Sequence, residues 1–573
     1  MMIDTKELFS IIEKSINLPR MVSDVHSIAQ WHRYTGEPGG EAFVDWLLSE
    51  LDNAMIPYSV ETYEPYCSLP LEAELILPEG TVVKAIADVY SRSVDNLAGD
   101  LIFDESSLKH DLNDYQEVER FASFKGKIVL SYSSGGAFAE KVYLAGGKGL
   151  IHINPSKGGY IHHHTDGTEW GNPVSSQHQF LGQLPAAGIS LEDGEALIGK
   201  LKECPLSVNM SIKMDTAVKK SRMVVVDIPG RSSSFVMING HYDSWYEGVT
   251  DNAAADAILL EYARAFWAHR NEMNRGVRIC WWSGHSDARY AGSAWYCDNH
   301  YQELNRYCVG NINLDLCGCK LSRQIRARTT LMEGAELSAG LIRKYTGMQA
   351  KHYIPMIRGA DMSFWGVRIP IVMMFKYEPV DEERVSMVPS GGPWWHTDQD
   401  TIDKLDESIL LRDALINAEF ACTLINAHTL PVKMSDFLSE MLSFLHAIER
   451  GLSADFNLYA TLDCIEQFRT FLLPLEDKIK ALDTENSDRL IKQIAGELIR
   501  LTYSQGSPYA MDRAVAYEPF GVLKRACGKT RENTPADSYV FCMTEFKRAQ
   551  NRIEGQLLAL QELIELRLNG IHE

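Results

Sequence analysis

Apolar residues recur at spacings of three and four over residues 4–16 and 40–54, with Leu8, Ile11 and Ile12 in the first stretch and Phe43, Leu47, Leu48 and Leu51 in the second. Such one-sided spacing predicts two amphipathic helices. A strand-type run at 58–63 follows. From about Leu71 to Lys213 the texture changes to short β-type runs split by Gly, Pro and Asn. Within it 127–131, 149–153 and 186–190 read as strands, and 138–145 and 191–201 as helices. Apolar runs return at 223–228 and 234–239. Helical stretches at 253–269, 293–307 and 335–345 then alternate with strand-type runs at 278–282, 309–316 and 369–375, and 406–427 closes as a long helix. Buried strands alternating with helices predict an α/β sheet covered on both faces. Beyond Pro431 only helical stripes remain, carried by Phe437, Leu445, Leu458, Leu472, Leu490, Leu501, Ile553 and Ile564 among others.

At 573 residues the chain exceeds one hydrophobic core, and roughly two to four domains are expected. The patterns divide it into an α/β domain over 1–70 and 220–430, an insert over 71–219, and a helical domain over 431–573. A formal net charge of −21, with no basic run to offset it, repels nucleic acid and anionic membrane. No stretch of eighteen apolar residues occurs, so no membrane span is expected. The first twenty-one residues mix Asp4, Lys6, Glu7, Glu13 and Lys14 into their apolar positions and lack the core of a signal peptide. The eleven scattered cysteines read as reduced thiols. A cytoplasmic protein is expected.

Four separated segments carry metal-type ligands: Gly240-His241-Tyr242-Asp243, Thr250-Asp251-Asn252, Asn313-Leu314-Asp315 and Trp395-His396-Thr397-Asp398. Taken singly, each has an ordinary explanation: a strand-end histidine, a helix N-cap, a buried ion pair, a surface histidine. Their joint occurrence at strand ends and loops is poorly explained by four accidents. Two imidazoles with bridging and terminal carboxylates suit one or two zinc-like ions. Asp243 points to the same side of an extended chain as His241, and is placed to fix its tautomer or to hold the backbone around the site.

The runs GHYDSWYEGVTDNAAADA, WWSG…YAGS, NINLDLCG and HTDQDTIDKLD resemble the zinc exopeptidases that include bacterial aminopeptidases and glutamate carboxypeptidase. The insert, with FKGKIVL, AGGKGLIHIN and LPAAGISLEDGEALI, is similar to the protease-associated domain of that family. The C-terminus resembles the dimerisation domain of its carboxypeptidase and transferrin-receptor branch. The resemblance implies a mixed central sheet with helices on both faces and a homodimer. It implies that His241 and Asp315 ligate one metal, that Asp251 bridges, and that His396 ligates a second. Asp361 matches a segment lining the substrate pocket. Arg358 beside it has the fork geometry to pair a substrate carboxylate, or serves a structural ion pair.

The departure lies at 284–293. Where the family carries two adjacent glutamates, a general base and a ligand, this chain has Ser283-Gly284-His285-Ser286-Asp287. Asp287 is then the candidate ligand and His285 the candidate acid/base; alternatively His285 is itself a ligand. Tyr242 and Arg289 are candidate oxyanion or substrate contacts. His162-His163-His164 reads as a solvent-facing loop, or as a lid reaching the site together with Trp170. The expected function is a metal-dependent hydrolase of the aminopeptidase/carboxypeptidase type, holding one or two divalent ions, zinc foremost, and cleaving an amide of a small peptide or amino-acid derivative. The competing readings are a metal-dependent lyase or isomerase-type enzyme on a carboxylate-bearing small molecule, and a non-catalytic receptor-like protein.

Overall fold

The computed structural model describes residues 3–109, 114–348, 354–355, 359–379, 391–514 and 519–570. Its central sheet has eight strands in the order Ser59–Tyr63, Ser221–Ile228, Gly276–Trp282, Phe235–His241, Cys308–Asn313, Ile371–Glu378, Gln324–Thr329 and Ile354–Pro355. The middle four run parallel, while Ser221–Ile228 and Gln324–Thr329 flank them antiparallel. Every residue of Phe235–His241 and Gly276–Trp282 is buried, as near-continuous apolar strands under covering helices must be. The sheet is mixed. Thr5–Ser15, Leu18–Ile28, Ala254–Ala268 and Glu407–Asn426 pack against one another over it.

Two helical features depart from the periodicity. Leu18–Ile28, capped by Asn17, was hidden by its Pro19 and mixed composition. The stretch expected as one helix over 293–307 is two, Ala291–Asn299 and Tyr301–Tyr307, separated at His300, whose ring stacks on Tyr296 at 4.1 Å.

A second eight-stranded sheet is built from residues between Tyr66 and Val218. Its long strands, Tyr66–Ile76, Val94–Phe103 and Ser207–Val218, read only as scattered short runs in the sequence. Ser207–Val218 alternates exposed and buried residues, so polar positions interrupt its apolar ones. This sheet has its own core, including Leu75, Ile128, Ile151, Ile189 and Met210.

Long helices, Met434–Glu449, Tyr459–Lys480, Thr484–Tyr503 and Ala536–Gly570, make up the C-terminal part. A buried bidentate pair joins it to the central sheet: Arg275 donates from Nε and Nη2 to the two oxygens of Asp488, each at 2.7 Å. Breaking one side would strand a buried charge, costing about 3–5 kcal/mol.

Candidate metal centre

The parallel strands end along one edge of the central sheet, and the ligand-type residues lie at or just beyond those ends. His241 is the last residue of its strand. Gly240 runs so close to the Leu314 carbonyl that a Cβ there would sit 2.8 Å from it. Asn252 laces the edge together: its side-chain amide donates to the His241 and Leu314 carbonyls at 3.3 and 3.1 Å, and its oxygen accepts from the Leu316 N–H at 3.1 Å. Asp251 stands beside it. The N–H groups of Thr250 and Asp251 both donate to the Asp400 carboxylate, which fixes this loop. Burial outweighs those bonds and pushes Asp400 up to about 7.

Four side chains meet here. His241 Nε2 lies 3.2 Å from Asp251 Oδ1 and 3.7 Å from Asp315 Oδ1, and His396 Nε2 lies 3.1 Å from Asp251 Oδ2. Each ring is turned by a backbone acceptor: His241 Nδ1 donates to the Asp243 carbonyl at 2.9 Å, and His396 Nδ1 to the His163 carbonyl at 2.8 Å. That leaves both Nε2 atoms facing the carboxylates, the tautomer a metal ligand requires. His241 Nε2 and Asp315 Oδ1 are buried without a hydrogen bond.

The electrostatics agree. Burial disfavours an imidazolium at His241, yet Asp251 and Asp315 outweigh it and raise its pKa well above the ordinary value. Burial likewise pushes Asp251 up, and His241 and His396 overcome it to hold the carboxyl below its usual range. The cluster favours positive charge at its centre. A divalent cation fits, and mixed imidazole and carboxylate donors suit zinc. His241, Asp251 and Asp315 would hold one ion; His396 and the second Asp251 oxygen would begin another position.

His285 lies against this cluster. Its ring stacks on His241 with centroids 3.7 Å apart, and one ring nitrogen shares a 4.8 Å neighbourhood with the donor atoms of His241 and Asp315. His285 Nδ1 donates to Asp361 Oδ2 at 2.8 Å, and Asp361 also accepts from Ser293 Oγ at 2.9 Å. Burial raises the Asp361 pKa, but the His285 imidazole and the Ser293 hydroxyl bring it below the ordinary value.

The cluster opens into a cleft of about 360 Å³. Besides Asp251, His285, Ser286, Asp315 and His396, its wall includes Gly135, Gly136, His163, His164 and Thr165 from the stretch that builds the second sheet.

A model of peptidase family M28 matches residues 223–421. An aminopeptidase of Pseudomonas aeruginosa is 25% identical over 316 residues, covering 52% of this chain and 56% of that protein. The chain thus spans little more than half the length of this relative. Among solved structures, an aminopeptidase from Aneurinibacillus sp. strain AM-1 superposes with a TM-score of 0.55 at 19% identity, covering 74% of this chain and 98% of the other. A zinc aminopeptidase from Bacillus subtilis gives 0.54 at 19% identity, covering 71% and 95%. Residues 223–421 thus resemble peptidase family M28, and the chain shares the fold of these solved aminopeptidases.

Around this cleft, several expected site residues do other work. Asp287, expected as a ligand, faces away: its Oδ2 accepts from the Thr35 N–H at 3.0 Å, and burial with nearby Asp243 pushes it up to about 7. The turn from Gly284 to Tyr290 contains left-handed residues at Gly284, Arg289 and Tyr290, which break the alternation an extended chain would impose. The Asp243 carboxylate touches no reacting group and takes the second of its two expected roles, holding backbone: its two oxygens accept from the His285 and Ser286 N–H groups at 3.0 and 2.9 Å. Tyr242 is a core residue and no substrate contact, because its neighbour His241 takes the cleft side of the strand. Its hydroxyl donates to the Arg222 carbonyl at 2.7 Å, and its ring packs on Phe43. Asp361 is fully buried behind His285 and does not line the substrate space. Arg289 does line the cleft, with Nη2 donating to the Ala514 carbonyl at 2.7 Å. Arg358 lies outside the described residues.

The histidine triplet is not a solvent-facing loop. His163 is buried, stacked on Trp245 at 4.0 Å, and joins the cleft wall with His164. Trp170 packs behind, on Tyr290 at 4.5 Å. Sequence reasoning missed Asp400 and Arg33. Arg33 is fully buried and donates to the Tyr242, Glu247 and Gly248 carbonyls, shaping the loop after His241. A lone arginine far upstream carries no signal for that role, whereas Asp400 lies only four residues beyond His396.

Proposed function

We propose that the chain is a metal-dependent hydrolase that cleaves an amide bond of a small peptide or amino-acid derivative, with the His285–Asp361 pair in place of a carboxylate acid/base. The match of residues 223–421 to peptidase family M28 and the similarity to aminopeptidases support the reaction class. The 2.8 Å bond from His285 Nδ1 to buried Asp361 carries the finer reading. Bound there, a divalent ion supplies Lewis-acid polarisation and lowers the pKa of water to about 7.

The protein's own groups do the rest. Asp361 fixes the His285 tautomer with Nε2 free, and its charge steadies the imidazolium once a proton arrives. His285 Nε2 takes a proton from attacking water beside the cluster and returns it to the departing amine. Asp243, through the His285 and Ser286 N–H groups, keeps that turn in place.

The test is a panel of aminoacyl and peptidyl amides offered to zinc-loaded protein, with product masses recorded. Products carrying one added water are expected. His285→Ala is expected to lower turnover about 10²-fold or more with metal content unchanged. Products lacking added water would replace this reading with a lyase-type one, and loss of metal in His285→Ala would move His285 among the ligands.

A further inference from the structure

Part of the cleft wall is cationic. Arg328 and Lys376 come from the adjacent antiparallel strands Gln324–Thr329 and Ile371–Glu378, whose register sets Arg326 opposite Lys376 and Arg328 opposite Met374. These four side chains therefore leave the sheet on one face. Arg326 has a carboxylate there, its Nε 2.9 Å from Glu378 Oε2. Arg328 and Lys376 both line the cleft, and among the described residues neither has an ion-pair partner. Arg328 Nε is buried and unpartnered. Burial lowers the pKa of Arg328, and burial together with Arg328 brings Lys376 down to about 8. Arg289 adds a third positive group, its Nε also buried and unpartnered.

Against these, the acids among the described lining residues are Asp251 and Asp315, which face the metal position. Once an ion is bound, the cleft of a chain with net charge −21 is positive. Buried charge without a partner is costly, and an anion delivered by the ligand is the direct compensation. In an amino-acid-derived substrate that anion is a carboxylate, which a guanidinium fork matches in shape. Leu316, Ala360, Met374 and Trp395 surround the polar groups with apolar surface.

We propose that the substrate carries a carboxylate, bound by Arg328 and Lys376 while its amide lies at the His241–Asp251–Asp315 cluster. The inference rests on the hydrolase reading of the same cleft. Two sources share this chemistry, the free carboxylate at a peptide's end and an acidic side chain.

Matched substrates separate them: a dipeptide, its C-terminal amide, and a pair of amidated dipeptides with Glu or Gln in the same position. Zinc-loaded protein is expected to prefer one carboxylate-bearing member about 10²-fold in kcat/KM, chiefly through KM, with the dipeptide marking the chain end and the Glu peptide the side chain. Arg328→Gln with Lys376→Gln is expected to erase that preference while metal content and melting temperature hold. Should the double variant fail to fold, each single substitution is read the same way. Hydrolysis without preference for either carboxylate, or a preference that survives the substitutions, would overturn the proposal. If nothing is hydrolysed, the hydrolase reading fails and calorimetry decides this one separately. The same peptides are then titrated into zinc-loaded protein; carboxylate-dependent binding weakened at least tenfold in the variant supports the site, and equal binding overturns it.

Discussion

The imidazole of His396 donates from Nδ1 to the backbone carbonyl of His163, 2.8 Å away, and the His163 N–H donates back to the His396 carbonyl at 3.1 Å. His396 reaches the Asp251 carboxylate, whereas His163 lies between strands of the second sheet. Orientation of an imidazole at the central sheet therefore depends on a loop from the second one. The His163 ring is held by its stack on Trp245 and by the Tyr246 hydroxyl, 3.2 Å from Nε2.

His163→Ala keeps the carbonyl but removes what holds it in place. Its expected effect is about a tenfold loss of metal affinity at the His396 position, the low end for groups that orient ligands from behind. Competition with a calibrated zinc chelator measures this. Unchanged affinity would mean that the paired main-chain bonds suffice without the ring.

The two halves of the cluster are unequal. On the proposed reading, His241, Asp251 and Asp315 would offer three protein donors to one ion, while His396 and the other Asp251 oxygen would offer two to a second. Titration of metal-free protein with zinc should show a tight first equivalent and a weaker second. Asp315→Ala is expected to abolish the tight phase, His396→Ala to abolish only the weak one, and Asp251→Ala to damage both. Two equivalents of equal affinity in the unmodified protein would require a further ligand for the second ion.

Asp361→Asn is nearly isosteric, but an amide can donate to His285 Nδ1 and so place the imidazole proton on Nε2. The ring would then face the cleft as a donor, unable to take a proton from water. Turnover should fall about 10²-fold or more, while zinc content stays the same because Asp361 approaches His285 and Ser293, not the cluster carboxylates. Ser293→Ala leaves the charged bond intact and should cost far less. Equal losses in both variants would point to general packing damage.

The convergence of His241, Asp251, Asp315 and His396 was legible because each lies next to a strong local signal, a strand end or a helix start, and α/β sheets gather such ends on one edge. The His285–Asp361 pair was not. Seventy-six positions separate the two residues, and only the approach of the segment after Gly359 to the Gly284–Tyr290 turn joins them. Side-chain direction inside that turn was equally hidden. Gly284 takes φ +71°, and a Cβ there would meet the Tyr63 hydroxyl at 2.7 Å, so strand alternation stops just before His285. That break is why Asp287 looked like a ligand and proved a structural acid. In the insert, alternating polar residues disguised long strands as fragments, because an exposed sheet face dilutes the apolar signal that marks a buried one.

A last prediction concerns stability. Glu333 is buried, accepting from the Thr329 and Ser338 hydroxyls through Oε1, while Oε2 has no partner. Burial pushes its pKa up to about 7 against those hydrogen bonds. The folded protein thus holds a proton that the unfolded chain releases near its ordinary value of 4.5. This neutral glutamate contributes fully below the unfolded pKa, and the contribution is lost as pH rises from there through the folded pKa near 7. The loss amounts to at most about 3 kcal/mol. Glu333→Gln preserves a neutral acceptor and cannot ionise. Metal-free variant and parent should unfold at similar urea concentrations at pH 4, with the variant more stable at pH 8. Asp287, Asp400 and Asp413 are also pushed up, to about 7, 7 and 6, so the parent's own pH profile mixes several groups. Only the difference between the two proteins isolates Glu333, and a difference that does not grow with pH would show that this carboxyl ionises in the fold as readily as in the open chain.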